Sequence, residues 1–199
     1  MPLPDDELLY PDDEDAPSYD DALALFHAWT EGESLRRHGY AVEAAMAGYA
    51  RHFGEDEERW RIAGLLHDLD YEKHPTLDEH PFVGERELET LGYPADVREA
   101  ILGHAPHTGT PRSSRLAKTL FAVDELAGFV VAVALVRPTR LDGMTARSVK
   151  KKLKDKQFAA AVSRDDIRQG AEELGVDLDG HIARVIESLQ GEASRLDLA

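Results

Sequence analysis

The most hydrophobic stretch of the chain, RLAKTLFAVDELAGFVVAVALV from Arg115 to Val136, carries an aspartate near its middle. Leu116, Leu120, Asp124, Ala127 and Val131 recur at the spacing of a single helical face. An ionised carboxylate is costly in an apolar interior unless a cation or strong donors compensate it. No lysine or arginine shares that face, so any fold of this chain must bring compensating groups to Asp124 from elsewhere.

Helical periodicity runs through the rest of the sequence, with no convincing alternating strand and no internal repeat. A first helix is predicted over about 19–31 and a second from about Ser34. In the second, Leu35, His38, Val42, Ala45, Met46, Tyr49 and Phe53 form one stripe and Gly54 is the stop signal. A third, about 57–70, contains RWRIAGLLHDLD, with Trp60, Ala63, Gly64 and His67 on its apolar face, so His67 and Asp68 arrive at the end of a buried helix. His80 is placed on the first turn of a fourth helix that runs to Gly92. His104 shares a face with Val97 and Ile101 after Pro94. After the Asp124 helix, Ser163 and Asp166 have the spacing of a capping box, and Leu178, Ile182, Val185, Ile186 and Leu189 form a last stripe predicted to pack on the core. The expected class is all-α. Its parts are an acidic, poorly ordered tail over 1–18, a helical domain over 19–140 and a helical extension over 141–199 packed on it.

Several helices thus point a histidine or an aspartate inward without a basic partner. Imidazole and carboxylate together suit a divalent metal, and the chain has no cysteine to supply thiolates or a cysteine nucleophile. The candidates are iron, manganese, magnesium, cobalt, nickel or zinc. His27, His52, His74 and His181 read as surface residues, and His107 is a rival to His104 as a ligand.

The net charge of −16 opposes general nucleic-acid binding, which depends on neutralising phosphates. Residues 1–21 hold nine acids and no base, which leaves −7 for the remainder. Opposite in sign, the segment 137–156 has eight bases against Asp142 and Asp155, a patch suited to a small anionic ligand. The first residues lack the basic and apolar regions of a signal peptide, and no stretch approaches the roughly 20 apolar residues that span a bilayer. The expected location is cytoplasmic, with no membrane partner.

The order His38, then adjacent His67 and Asp68, then Asp124 resembles the signature of the HD-domain superfamily of metal-dependent phosphohydrolases over about 34–136. HDLDYE, ALVRPTR and SVKKKLKDKQFAA are also similar to a bacterial family of HD proteins. His80 and His104 resemble the two additional histidines of the dinuclear subset. In that subset the resemblance implies one ion on His38, His67, Asp68 and Asp124 and a second on His80 and His104, with Asp68 bridging. The implied fold is an HD-domain helical bundle, and the implied activity is hydrolysis of a nucleotide or other small phosphoester by metal-activated water. Many members read HDIG followed by lysine, whereas this chain reads His67-Asp68-Leu69-Asp70 with Tyr71, Glu72 and Lys73 next. Asp68, Asp70 and Glu72 are therefore the catalytic candidates, with Asp70 or Glu72 orienting water or protonating the leaving group. Lys73, Arg137 and Arg140 are the phosphate-binding candidates. Two other readings share the ligand set: a di-iron HD-type oxygenase, and a metal-stabilised binding or regulatory module without turnover.

Overall fold

Gly64 sets the central helix pair. A Cβ at this position would lie 2.9 Å from the Glu43 Cα of the neighbouring helix, so only glycine permits the two backbones to approach this closely. The structure, a computed structural model, describes residues 16–199. Its order is α1 (Tyr19–Trp29), α2 (Glu33–Phe53), α3 (Glu57–Leu66), α4 (Phe82–Thr90), α5 (Ala95–His104), α6 (Arg115–Leu135), α7 (Ala146–Leu153), α8 (Arg164–Leu174) and α9 (Leu178–Gly191). Among the described residues there is no strand, in agreement with the all-α reading, and no helix is long and apolar enough to cross a membrane.

Helices α2 and α6 form the centre. Helix α2 packs on α3, α6 and α9, while α6 packs on α5 and α8. The predicted stripe of α2 is the buried one, with Val42, Ala45, Met46 and Tyr49 inaccessible or nearly so. Around Glu43 a polar lock fixes the pair from outside. Its carboxylate accepts from Tyr19 Oη at 2.8 Å, Arg61 Nη2 at 2.6 Å and Arg195 Nη1 at 3.1 Å. Helices α1 and α3 and the last residues of the chain are thereby tied to α2. Arg195 and Arg61 each also lie over a tyrosine ring, Tyr40 and Tyr19 respectively.

The C-terminal helices cover the core. Ile182, Val185, Ile186 and Leu189 of the last stripe are buried. Helix α8 sits directly on α6, where a Cβ at Gly170 would come within 2.5 Å of the Ala122 Cα.

Four local expectations are corrected. Ser18, assigned to the acidic tail, caps α1: its hydroxyl accepts from Asp21 N–H and Asp21 returns a bond to the Ser18 N–H. Residues 1–15 of that expected tail lie outside the described residues. The third helix ends at Leu66, and residues 67–73 continue as tight turns closed by Leu69 N–H to Leu66 O and Tyr71 N–H to Asp68 O, both at 3.1 Å. His80 precedes α4 instead of lying on its first turn, and its peptide bond to Pro81 is cis. His181, read as a surface residue, is buried between α2 and α6. Its Nε2 donates to Ala122 O at 2.9 Å, and its Nδ1 accepts from Tyr49 Oη at 2.5 Å.

Burial holds His181 neutral and depresses its pKa to about 4. An imidazole in the unfolded chain protonates first, near pH 6.5. The unfolded state therefore gains protons as pH falls from 6.5 towards 4, and stability is lost over that window. The difference between the two states corresponds to about 3 kcal/mol at pH 4. Denaturant unfolding of wild type and His181→Gln at pH 7 and pH 4 should show a smaller acid loss in the variant by roughly that amount; equal losses would contradict the assignment.

Candidate metal centre

Five elements deliver the six side chains singled out in the sequence. His38 comes from the second turn of α2, His67 and Asp68 from the end of α3, His80 from the turn before α4, His104 from the last residue of α5 and Asp124 from the middle of α6. The Gly64 contact that draws α3 onto α2 brings His38 Nε2 and His67 Nε2 to 3.1 Å. Asp124 Oδ1 is 3.1 Å from the first and 3.4 Å from the second.

Asp68 lies between two histidine pairs. Its Oδ2 is 3.4 Å from His67 Nε2 and 3.7 Å from His38 Nε2. Its Oδ1 is 3.4 Å from both His80 Nε2 and His104 Nε2. Two triads result, His38–His67–Asp68 and Asp68–His80–His104, each with its ligating atoms within 4.8 Å of one another.

An outer layer of acceptors fixes the imidazoles. His67 Nδ1 donates to Gly64 O at 2.8 Å, His80 Nδ1 to Asp70 Oδ1 at 2.7 Å and His104 Nδ1 to Ile101 O. Carbonyl and carboxylate oxygens only accept, so these Nδ1 atoms carry the proton and the neutral rings point a bare Nε2 lone pair inward. Lone pairs of imidazole and carboxylate then face one another at short range, and no lysine or arginine pairs with Asp68 or Asp124 among the described residues. Such an arrangement is stable only around positive charge. In the metal-free protein a proton supplies it. Burial opposes a charge on His67, but the carboxylates of Asp68 and Asp124 outweigh it and raise that pKa well above 6.5. Burial likewise disfavours the charged carboxylates, and the neighbouring imidazoles overcome it and hold both acids well below their usual range. Tautomer, donor type and acid–imidazole balance all fit a divalent ion.

Other expected site residues go elsewhere. Asp70 is fully buried behind His80, with Oδ2 accepting from Gly84 N–H at 2.6 Å, and it does not line the cleft. Glu72 accepts from the Glu31 and Gly32 N–H groups at 2.6 and 3.0 Å, at the start of α2. Lys73 donates to Ala28 O and lies over the Trp29 ring. Arg137 bonds Arg140 O and Asp142 O, while Arg140 bonds Leu135 O, so both guanidinium groups fold back on their own loop. These four residues, like the lysines of 150–156, do not line the cleft over the histidines. His107, the rival to His104, stands outside both clusters described above: its Nε2 donates to His80 O at 2.8 Å and its ring lines the cleft.

The cleft encloses about 430 Å³. Beyond His38, Asp68, His80, His104 and Asp124 it is lined by Tyr71, Phe121, Glu125, Val162 and Asp166 among others, none of these five anticipated as site residues. Burial raises the Glu125 carboxyl to about 7, and the neighbouring Asp124 and Asp166 charges add to this. Glu125 could not be separated in the sequence from an ordinary helix-surface acid beside Asp124, and Asp166 has the spacing of a capping residue.

Residues 35–128 match the family described as HD domain, and over that segment the chain carries an HD domain. Across 97 residues it is 31% identical to Ribonuclease Y of Oleidesulfovibrio alaskensis, a match that covers 48% of this chain and 18% of that protein. No solved structure gives a significant match.

If each triad holds its own ion, His80→Ala and His104→Ala should each lose about one metal equivalent while the ion at His38, His67 and Asp124 stays. Metal analysis of the purified variants checks this. Full wild-type content in both would leave only a single-ion centre.

Proposed function

We propose that the protein is a metal-dependent hydrolase of a small phosphoester. The observation that carries the reading is the Asp68 carboxylate shared between two histidine pairs at the floor of an open cleft. His38, His67, Asp68 and Asp124 would hold one divalent ion, and Asp68, His80 and His104 a second. Bound there, such ions lower the pKa of water and offset charge on a phosphoryl group.

The chain's own residues do the positioning. Asp70, Gly64 O and Ile101 O lock three imidazoles in the tautomer that presents Nε2. Phe121, Val162 and Leu77 give the cleft apolar walls that limit bulk water, and His107 braces the His80 backbone.

The volume falls in the range of roughly 300–1,000 Å³ typical of small-molecule sites. Its acidic lining disfavours a polyanion, so although the matched relative is a ribonuclease by name, a small phosphoester is the better substrate class for this chain. Hydrolysis needs no oxygen, which separates this reading from the di-iron oxygenase with the same ligands.

The test is a panel of nucleotides and small phosphomonoesters assayed with Mn²⁺ or Co²⁺ under anaerobic conditions. Turnover should require the metal, proceed without oxygen and fall more than ~100-fold in Asp124→Asn, since even outer-sphere changes cost 10–100-fold. Absence of turnover on every ester, or a requirement for oxygen, would overturn it.

A further inference from the structure

Among the described residues no lysine or arginine lines the cleft, although its expected substrate is an anion. The basic groups nearest in the fold are committed elsewhere. Arg112 lies over the Phe121 ring at 3.7 Å and pairs with Glu173 at 2.7 Å. Arg164 spends its guanidinium on carbonyls of its own loop, including Phe158, Ala159 and Val162. The exposed lysines of α7 border a different surface.

Two carboxylates stand in place of cations on the wall. Ser163 accepts from Asp166 N–H at 3.1 Å as a helix cap, but the box is not closed in the usual way. The Ser163 N–H goes to Glu125 Oε2 at 3.1 Å instead of to Asp166. Asp166 is thereby left on the cleft wall with no side-chain partner among the described residues, and Glu125 is fastened beside it with Oε1 uncommitted. The wall is rigid: Gly170 seats α8 on Ala122, and Arg164 fixes the loop that leads into it.

Charge decides what such a cleft can take. The four carboxyl groups of Asp68, Asp124, Glu125 and Asp166 would already offset much of the charge of two divalent ions. A phosphate added to that set brings uncompensated negative charge next to two acids, at a cost magnified by partial burial. A positive group on the same substrate removes the cost and gains charge-assisted hydrogen bonds. Tyr71, an exposed aromatic residue on the same cleft, is a favourable neighbour for an ammonium.

We propose that the cleft selects phosphoesters bearing an ammonium group, with Glu125 and Asp166 as its acceptors. The inference rests on the hydrolase reading and adds the substrate class to it. Asp166 and its loop lie beyond the matched segment 35–128, so the helical extension supplies this part of the selectivity.

The experiment is calorimetric binding to the Mn²⁺-loaded protein of two esters of equal size, 2-aminoethyl phosphate and propyl phosphate, which differ by NH₃⁺ against CH₃. The amine should bind about tenfold tighter, the scale of one hydrogen bond to a charged group. Glu125→Gln and Asp166→Asn should each reduce that ratio towards one at unchanged metal content. Should Glu125→Gln fail to fold, Asp166→Asn carries the test alone, because its side chain makes no packing hydrogen bond. Equal binding of the two esters, or a preference that survives the substitutions, overturns the ammonium assignment and leaves the hydrolase reading standing. Absence of metal-dependent binding by either ester overturns both.

Discussion

The organising interaction is the meeting of Asp68 with four imidazole nitrogens. Each of its oxygens faces a different histidine pair, and those pairs arrive from α2, the α3 end, the turn before α4 and the α5 end. The centre therefore ties together segments far apart in the chain. Its groups repel as bare lone pairs and attract only around a cation, so an ion held there would stabilise the fold that holds it. Hydrophobic burial supplies most of the driving force, but it cannot say where Asp124 should go. The requirement for positive charge at Asp68 and Asp124 does.

Precision comes from the surroundings of the centre. Gly64 lets α3 approach α2, and the same residue's carbonyl holds the His67 tautomer. Asp70 does the equivalent for His80 and also bonds the Gly84 N–H, which anchors the start of α4. The cleft wall is completed from α6 and the start of α8, through Glu125 and Asp166.

The helices and the inward-facing histidines were legible because both follow from local properties: a 3.6-residue period, and the cost of placing a charge on an apolar stripe. The all-α class was readable on that basis, whereas the HD-domain segment was read from the resemblance of the His38, His67-Asp68 and Asp124 order to a known family. What failed depended on partners distant in sequence. Glu72 lies next to the HD dyad, yet it serves backbone groups 40 and 41 residues away. His181 shares a helical face with Leu178 and Val185, but the partner that holds it inside, Tyr49, is 132 residues away. Arg137 and Arg140 have the right chemistry for phosphate but are consumed by their own turn. Ser163 and Asp166 show the same limit: the spacing predicts a reciprocal cap, and Glu125 from another helix takes one of its bonds.

Asp68 is the only side chain common to both triads, so its substitution addresses the whole centre. The decisive measurement is metal content of wild type and Asp68→Asn, purified without chelator, with circular dichroism to verify that both are folded. The account predicts bound divalent metal in the wild type and its near-complete loss in the folded variant. Wild-type stoichiometry in Asp68→Asn would contradict it.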